Sequence, residues 1–128
     1  MRVLLDSHAF VWSGTADSRL SARARAAIED PDNQRFLSVA SSWELMIKAQ
    51  RGKLRLPGGA GWFLLENSAR LVAEILPIHQ SHVLQLEQIP LHHGDPFDRV
   101  LIAQCQVEGL AVVTSDPAFA LYEVDVIW

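Results

Sequence analysis

Four carboxylates in this sequence fall where a strand should end or a helix should begin: Asp6 after the apolar run Arg2–Leu5, Glu44 behind Ser41-Ser42, Asp98 behind Asp95-Pro96, and Asp116 after Leu110–Val113. If a sheet gathers those ends, the result is a cluster of oxygen ligands with no cysteine and no obligatory histidine. That donor set suits hard ions such as Mg²⁺ or Mn²⁺ rather than zinc. One or two such cations would relieve the repulsion among the acids, activate a water and steady the charge on a phosphodiester under in-line attack. Each acid also has an ordinary explanation, because Asp and Glu favour first helical turns through capping and the helix dipole. Asp6 and Asp116 could be N-caps, Glu44 could complete a capping box with Ser41 and pair with Lys48, and Asp98 could sit behind an Asp95 cap. What favours chemistry is the set, all four expected at one edge of the sheet.

Other side chains offer weaker signals. His92-His93 ahead of Asp95 reads as a solvated pair in a polar loop rather than a metal site, and His8, close to Asp6, is the better candidate to support that acid. Lys48, Arg51, Lys53 and Arg55 are the densest basic stretch, able to guide a phosphate backbone or simply to solvate a helix end. Trp43, Trp62 and Phe97 lie at helix starts, where core packing is expected before base stacking. The single cysteine, Cys105, excludes an internal disulfide, and its apolar neighbours mark a packed thiol.

The elements that must position these residues follow from periodicity and punctuation. Strands are expected at Arg2–Leu5, Phe36–Val39, Leu71–Leu76 and Leu110–Val113, with a last edge strand within Val124–Trp128. Helices are expected over Ser7–Trp12, from the Ser21 N-cap to Glu29, from Ser41 to a stop at Gly52, over Trp62–Arg70, over His79–Glu87, and from the Asp95 cap with Pro96 at N1 to Gly109. The last of these is apolar nearly all round and should be central. Short apolar strands alternating with helices specify an α/β domain with a mainly parallel sheet and helices on both faces. The functional crevice of such a domain lies beyond the C-terminal ends of its strands.

With 128 residues, 49% hydrophobic and 20% charged, residues 1–128 are expected to form one globular domain. No apolar run approaches the ~18 residues of a membrane span, and Asp6 comes too early for a signal peptide, so a cytoplasmic protein is expected. The formal net charge of −4 argues against a surface coated in lysine and arginine, so any contact with nucleic acid needs a local cause.

Taken together, Leu4-Leu5-Asp6-Ser7-His8, Ser41-Ser42-Trp43-Glu44-Leu45 with Ile47-Lys48 and Gly52-Lys53-Leu54, His92-His93-Gly94-Asp95-Pro96-Phe97-Asp98-Arg99, and Val113-Thr114-Ser115-Asp116-Pro117-Ala118-Phe119 closely resemble the PIN-domain toxins of the VapC type. The likeness runs over essentially the whole chain. It implies a PIN-like α/β/α sandwich, a Mg²⁺ site that Mn²⁺ could also fill, and endoribonuclease activity toward an RNA substrate. It further implies restraint by a VapB-like antitoxin and a homodimer within a toxin–antitoxin hetero-oligomer. By the same resemblance Asp6, Glu44, Asp98 and Asp116 form the catalytic and metal-binding quartet. Ser7 would orient the first carboxylate or a water, and Asp95 would be an outer supporting acid. Ser115 stands where many close relatives are expected to carry arginine. Two rival readings are a haloacid-dehalogenase-like phosphatase, disfavoured because Asp6-Ser7-His8 lacks a second aspartate two positions on, and a non-catalytic RNA-binding or antitoxin-partner module. The latter would have no need to concentrate negative charge near phosphate.

Overall fold

The computed structural model describes all 128 residues. Five strands, β1 (Arg2–Leu5), β2 (Gln34–Ser38), β3 (Glu74–Leu76), β4 (Ala111–Val113) and β5 (Val126–Ile127), form one sheet in the order β3-β2-β1-β4-β5. Every pairing is parallel, so the mainly parallel expectation becomes a wholly parallel sheet. Six helices connect them: α1 (Ser7–Gly14), α2 (Ala22–Glu29), α3 (Val39–Gln50), α4 (Ala60–Leu71), α5 (Gln80–Gln85) and α6 (Pro96–Glu108). From β1 to β3 the chain moves in one direction across the sheet, then returns past β1 to place β4. Right-handed crossovers with that reversal put helices on both faces.

The two faces have separate cores. Val3, Leu5 and Leu37 pack with Phe10, Ala24, Ile28 and Phe63 of α1, α2 and α4 on one side. Leu4, Phe36 and Val112 pack with Leu101, Ile102 and Cys105 of α6 on the other. The alternation of Val3, Leu4 and Leu5 between the cores is the period of two that a strand covered on both faces requires. The reversal point of the strand order lies between β1 and β4, where an open parallel sheet leaves a crevice.

Several boundaries differ from the sequence expectation, for local reasons. Ser38, not Ser41, caps α3, its side chain accepting from the Ala40 amide. The third strand is shorter than Leu71–Leu76 because α4 runs on to Leu71 and ends at Val72 in the left-handed region, φ 51°. Trp43 and Trp62 are not core residues: they are 60% and 55% exposed. No helix is long and apolar enough to cross a membrane.

Helix α1 carries the first acid's neighbours, and its seat against α4 is tight. A Cβ on Gly14 would stand 2.6 Å from Phe63 Cζ and 2.8 Å from Asn67 Cγ. Both neighbours are buried, and Asn67 is fixed by donating to the Phe10 carbonyl at 2.9 Å. Gly14→Ala is therefore expected to cost about 1–3 kcal/mol by overpacking, read as a lowered urea midpoint.

Candidate functional site: an acidic edge at the ends of β1 and β4

Asp6 follows β1 directly, and its amide donates to the Val113 carbonyl at 3.1 Å, carrying the β1–β4 pairing one residue beyond the strand. The side chain is 6% exposed with both oxygens engaged. Oδ1 accepts from the Ala9 amide at 2.7 Å, which caps α1, and Oδ2 accepts a short hydrogen bond from the Thr114 hydroxyl. Thr114 Oγ1 in turn accepts from the Asp116 amide at 3.1 Å. Asp116 caps the 3₁₀ turn Pro117–Leu121 through the Ala118 amide. The capping readings of Asp6 and Asp116 are thus met, and capping aims both acids at the same edge.

Glu44 is not in a capping box. With Ser38 capping α3, Glu44 lies a turn and a half in, and its Oε1 accepts from the Ser7 hydroxyl at 2.6 Å. Ser7 accordingly holds Glu44, across from α1 to α3, rather than Asp6. The pairing of Glu44 with Lys48 is present at 3.9 Å. Ser41 is buried inside the helix, with its hydroxyl unpartnered. Asp95 caps α6 by accepting from the Phe97 and Asp98 amides, and Asp98 sits in the first turn.

The histidine pair departs from the solvated-surface expectation. His92 is exposed, but His93 is partly buried, with Nε2 3.2 Å from Asp98 Oδ2 and Nδ1 2.5 Å from the Tyr122 hydroxyl. That hydroxyl also accepts from the His93 amide at 3.1 Å and from Arg99 Nη1 at 3.4 Å. A phenol has one proton, and with both acceptor positions taken by N–H groups its proton goes to Nδ1. Nε2 therefore carries the ring proton and donates to Asp98. His8, by contrast, is exposed, stacks on Trp12 at 5.5 Å, and makes no hydrogen bond to Asp6. Thr114 and Tyr122 are the site residues that sequence reasoning passed over. Thr114 had a visible signal in its place between a strand end and Asp116, whereas Tyr122 had none.

The acids sense one another. Burial raises the Asp6 carboxyl above the ordinary range and the Asp116 charge adds to this, against the hydrogen bonds from Thr114 and Ala9. Burial pushes Asp98 up to about 6, helped by Asp95 and by smaller contributions from Asp116 and Glu44, while the His93 bond opposes. The donors are all carboxylate oxygens, the chemistry a hard divalent ion takes. No three His, Cys, Asp or Glu side chains stand within common ligating reach, so the proximity is pairwise. Cys105 is buried in the α6 core, where burial pushes its thiol up to about 12, an inert packed sulfur.

Asp98 has a consequence for stability. Its pKa is about 6 folded and the ordinary 3.8 unfolded, so the folded chain holds the extra proton between those values. The contribution is fully present below the unfolded value and is lost as pH rises through 6. In chelating buffer at pH 7.5, Asp98→Asn is expected to be more stable than the parent by on the order of 1 kcal/mol, discounted for partial exposure. The gap should shrink toward pH 5 in paired thermal melts. A gap that is constant with pH would contradict the assignment.

Comparisons with known proteins bear on the family and the fold. Residues 3–125 match the family model of the PIN domain. Ribonuclease VapC22 of Mycobacterium tuberculosis is 34% identical over 118 residues, which cover 89% of this chain and 86% of that protein. Among solved structures, the VapBC2 complex of Rickettsia felis bound to a promoter DNA fragment superposes with TM-score 0.77 at 13% identity, covering 98% of this chain and 97% of that one. FitAcB from Neisseria gonorrhoeae superposes with TM-score 0.66 at 21% identity, covering 97% and 95%. The wholly parallel sandwich, the acids at its strand ends and these similarities lead to one assignment: the chain belongs to the PIN-domain family, with a VapC-type ribonuclease among its relatives.

Proposed function

We propose that this protein is a divalent-metal-dependent endoribonuclease acting as the toxin of a toxin–antitoxin pair, with Asp6, Glu44, Asp98 and Asp116 as its catalytic carboxylates. The observation that carries the reading is the placing of those acids along one edge, where burial together with the Asp116 charge raises Asp6, and burial together with Asp95, Asp116 and Glu44 raises Asp98, above the ordinary carboxylate range. The similarity to a ribonuclease over most of the chain supports the same conclusion.

The quartet would hold Mg²⁺, with Mn²⁺ able to substitute; when bound, the ion supplies the positive charge that activates water and stabilises the leaving oxygen. The chain's own contribution is orientation. Thr114 and the Ala9 amide fix both oxygens of Asp6, Ser7 fixes Glu44, and His93 fixes one oxygen of Asp98, leaving the other free. Asp95 supports from outside by capping the turn that presents Asp98. Water attacks phosphorus in line and the 3′ oxygen leaves, which gives 5′-phosphate ends. The 2′-hydroxyl is not the nucleophile, because the His93 ring is committed to Asp98 and Tyr122 rather than paired with a second histidine.

Restraint by an antitoxin has a surface to use. An apolar groove of about 440 Å³ lies beside the acids, lined by Trp43, Ile78, Leu91, Phe97 and Val100 among others. Trp43 and Leu91 are 60% and 83% exposed there, an apolar patch that suits a protein partner.

The antitoxin-free protein should cut a mixed RNA pool only with Mg²⁺ or Mn²⁺, and Asp98→Asn should lower the rate by about two to three orders of magnitude. Cyclic 2′,3′-phosphate ends would exclude this mechanism. In cells, Asp6→Asn should abolish growth arrest while still binding the antitoxin, and undiminished arrest would make the acids structural.

A further inference from the structure

Next to the acidic edge, α1, α3 and residues 53–55 enclose a trough of about 540 Å³. Arg19, Lys48, Lys53 and Arg55 line it, so both lysines of the chain and two of its nine arginines meet in one place on a protein of net charge −4. The only carboxylate in the lining, Asp17, is taken up by Arg19 through a bond at 2.7 Å. Arg19 also lies over the Trp12 ring at 4.7 Å. Lys53 and Arg55 are exposed and have no carboxylate partner. Arg51, beside them in sequence, lies at the C-cap of α3 and outside the trough.

We propose that this trough is the path of the RNA strand on one side of the scissile bond, its phosphates held by Lys48, Lys53 and Arg55. The proposal rests on the nuclease reading above and names where its substrate lies. Three observations support it. The trough is continuous with the acids, since His8 follows Ser7 on α1 and Lys48 pairs with Glu44 on α3. Its charge is opposite to theirs, so it supplies the attraction that a phosphate chain needs to approach a carboxylate edge. Its walls are held within the chain: Val11 and Leu45 are buried, and the Trp12 ring is engaged by His8, Arg19 and Trp128.

The test is binding of a mixed-sequence single-stranded RNA 12-mer to the full chain in EDTA, across a salt series. With about 0.7 lost per phosphate contact on a single strand, Lys53→Ala/Arg55→Ala should reduce the slope of log K against log salt by about 1.4. Arg23→Ala/Arg25→Ala on α2, away from the trough, should leave the slope unchanged. Both pairs are surface changes, and matching melting curves would show that folding is intact. Equal slopes for all three proteins would overturn the proposal. So would loss of binding to a 12-residue polyglutamate peptide with RNA binding unaffected, which would assign the trough to an acidic protein segment. Cleavage by the unaltered protein is measured separately with Mg²⁺. A reduced slope without cleavage upholds the strand path and removes the nuclease reading, and cleavage with unchanged slopes does the reverse.

Discussion

The carboxylate of Asp6 is the constraint on which the rest of the site depends. It is buried at the end of β1, where an unpaired charge would be costly, and three elements share the work of holding it: β1 through the backbone, α1 through the Ala9 amide, and the segment after β4 through Thr114. Because Oδ2 reaches Thr114 and Thr114 in turn takes the Asp116 amide, the position of one acid is transmitted to another 110 residues on. A parallel sheet whose strand order reverses beside β1 is what makes this possible, since it brings the ends of strands distant in sequence side by side. The cost is borne in the pKa values. Burial and like charge raise Asp6 and Asp98, so the edge is electrostatically unfavourable in itself and the two hydrophobic cores must outweigh it.

The supporting polar groups have a shared logic. Three of the four carboxylates are held by a side-chain donor from a different element: Thr114 for Asp6, Ser7 for Glu44, the His93 ring for Asp98. Hydroxyl donors such as Thr114 and Ser7 orient a carboxylate without discharging it. A lysine or arginine in the same place would form an ion pair and compete with any cation that approached. Beside this acidic edge the lysine on α3, Lys48, makes only a long contact with Glu44 at 3.9 Å.

How much of this was legible in the sequence follows from the range of each signal. Local periodicity and punctuation are enough to find β1, α2, α6 and the Asp95-Pro96 start, because caps and strand runs act within a few residues. The four acids stood out for the same reason, each being next to a boundary. The Ser41–Glu44 spacing misled because Ser38, three residues earlier, offered an equally good cap and the β2 register ended there. His93 misled because its partner Tyr122 is 29 residues away, and nothing local distinguishes a histidine that will be fixed from one that will be solvated. Trp43 and Trp62 misled because an amphipathic pattern shows which face is apolar without showing whether the chain itself covers it.

Helix α3 explains why acid, base and apolar surface are so close together. Within six residues it presents Trp43 to the apolar groove, Glu44 to the acids and Lys48 to the trough. Trp43 and Phe97 meet edge to face at 5.2 Å, and the next residue on each side of that contact is an acid of the site, Glu44 on α3 and Asp98 on α6. The aromatic contact that walls the apolar groove therefore joins the two helices that carry those carboxylates. The apolar groove and two of the four acids are thus carried by the same turns of the same two helices, so whatever covers the groove stands one residue from each of those carboxylates.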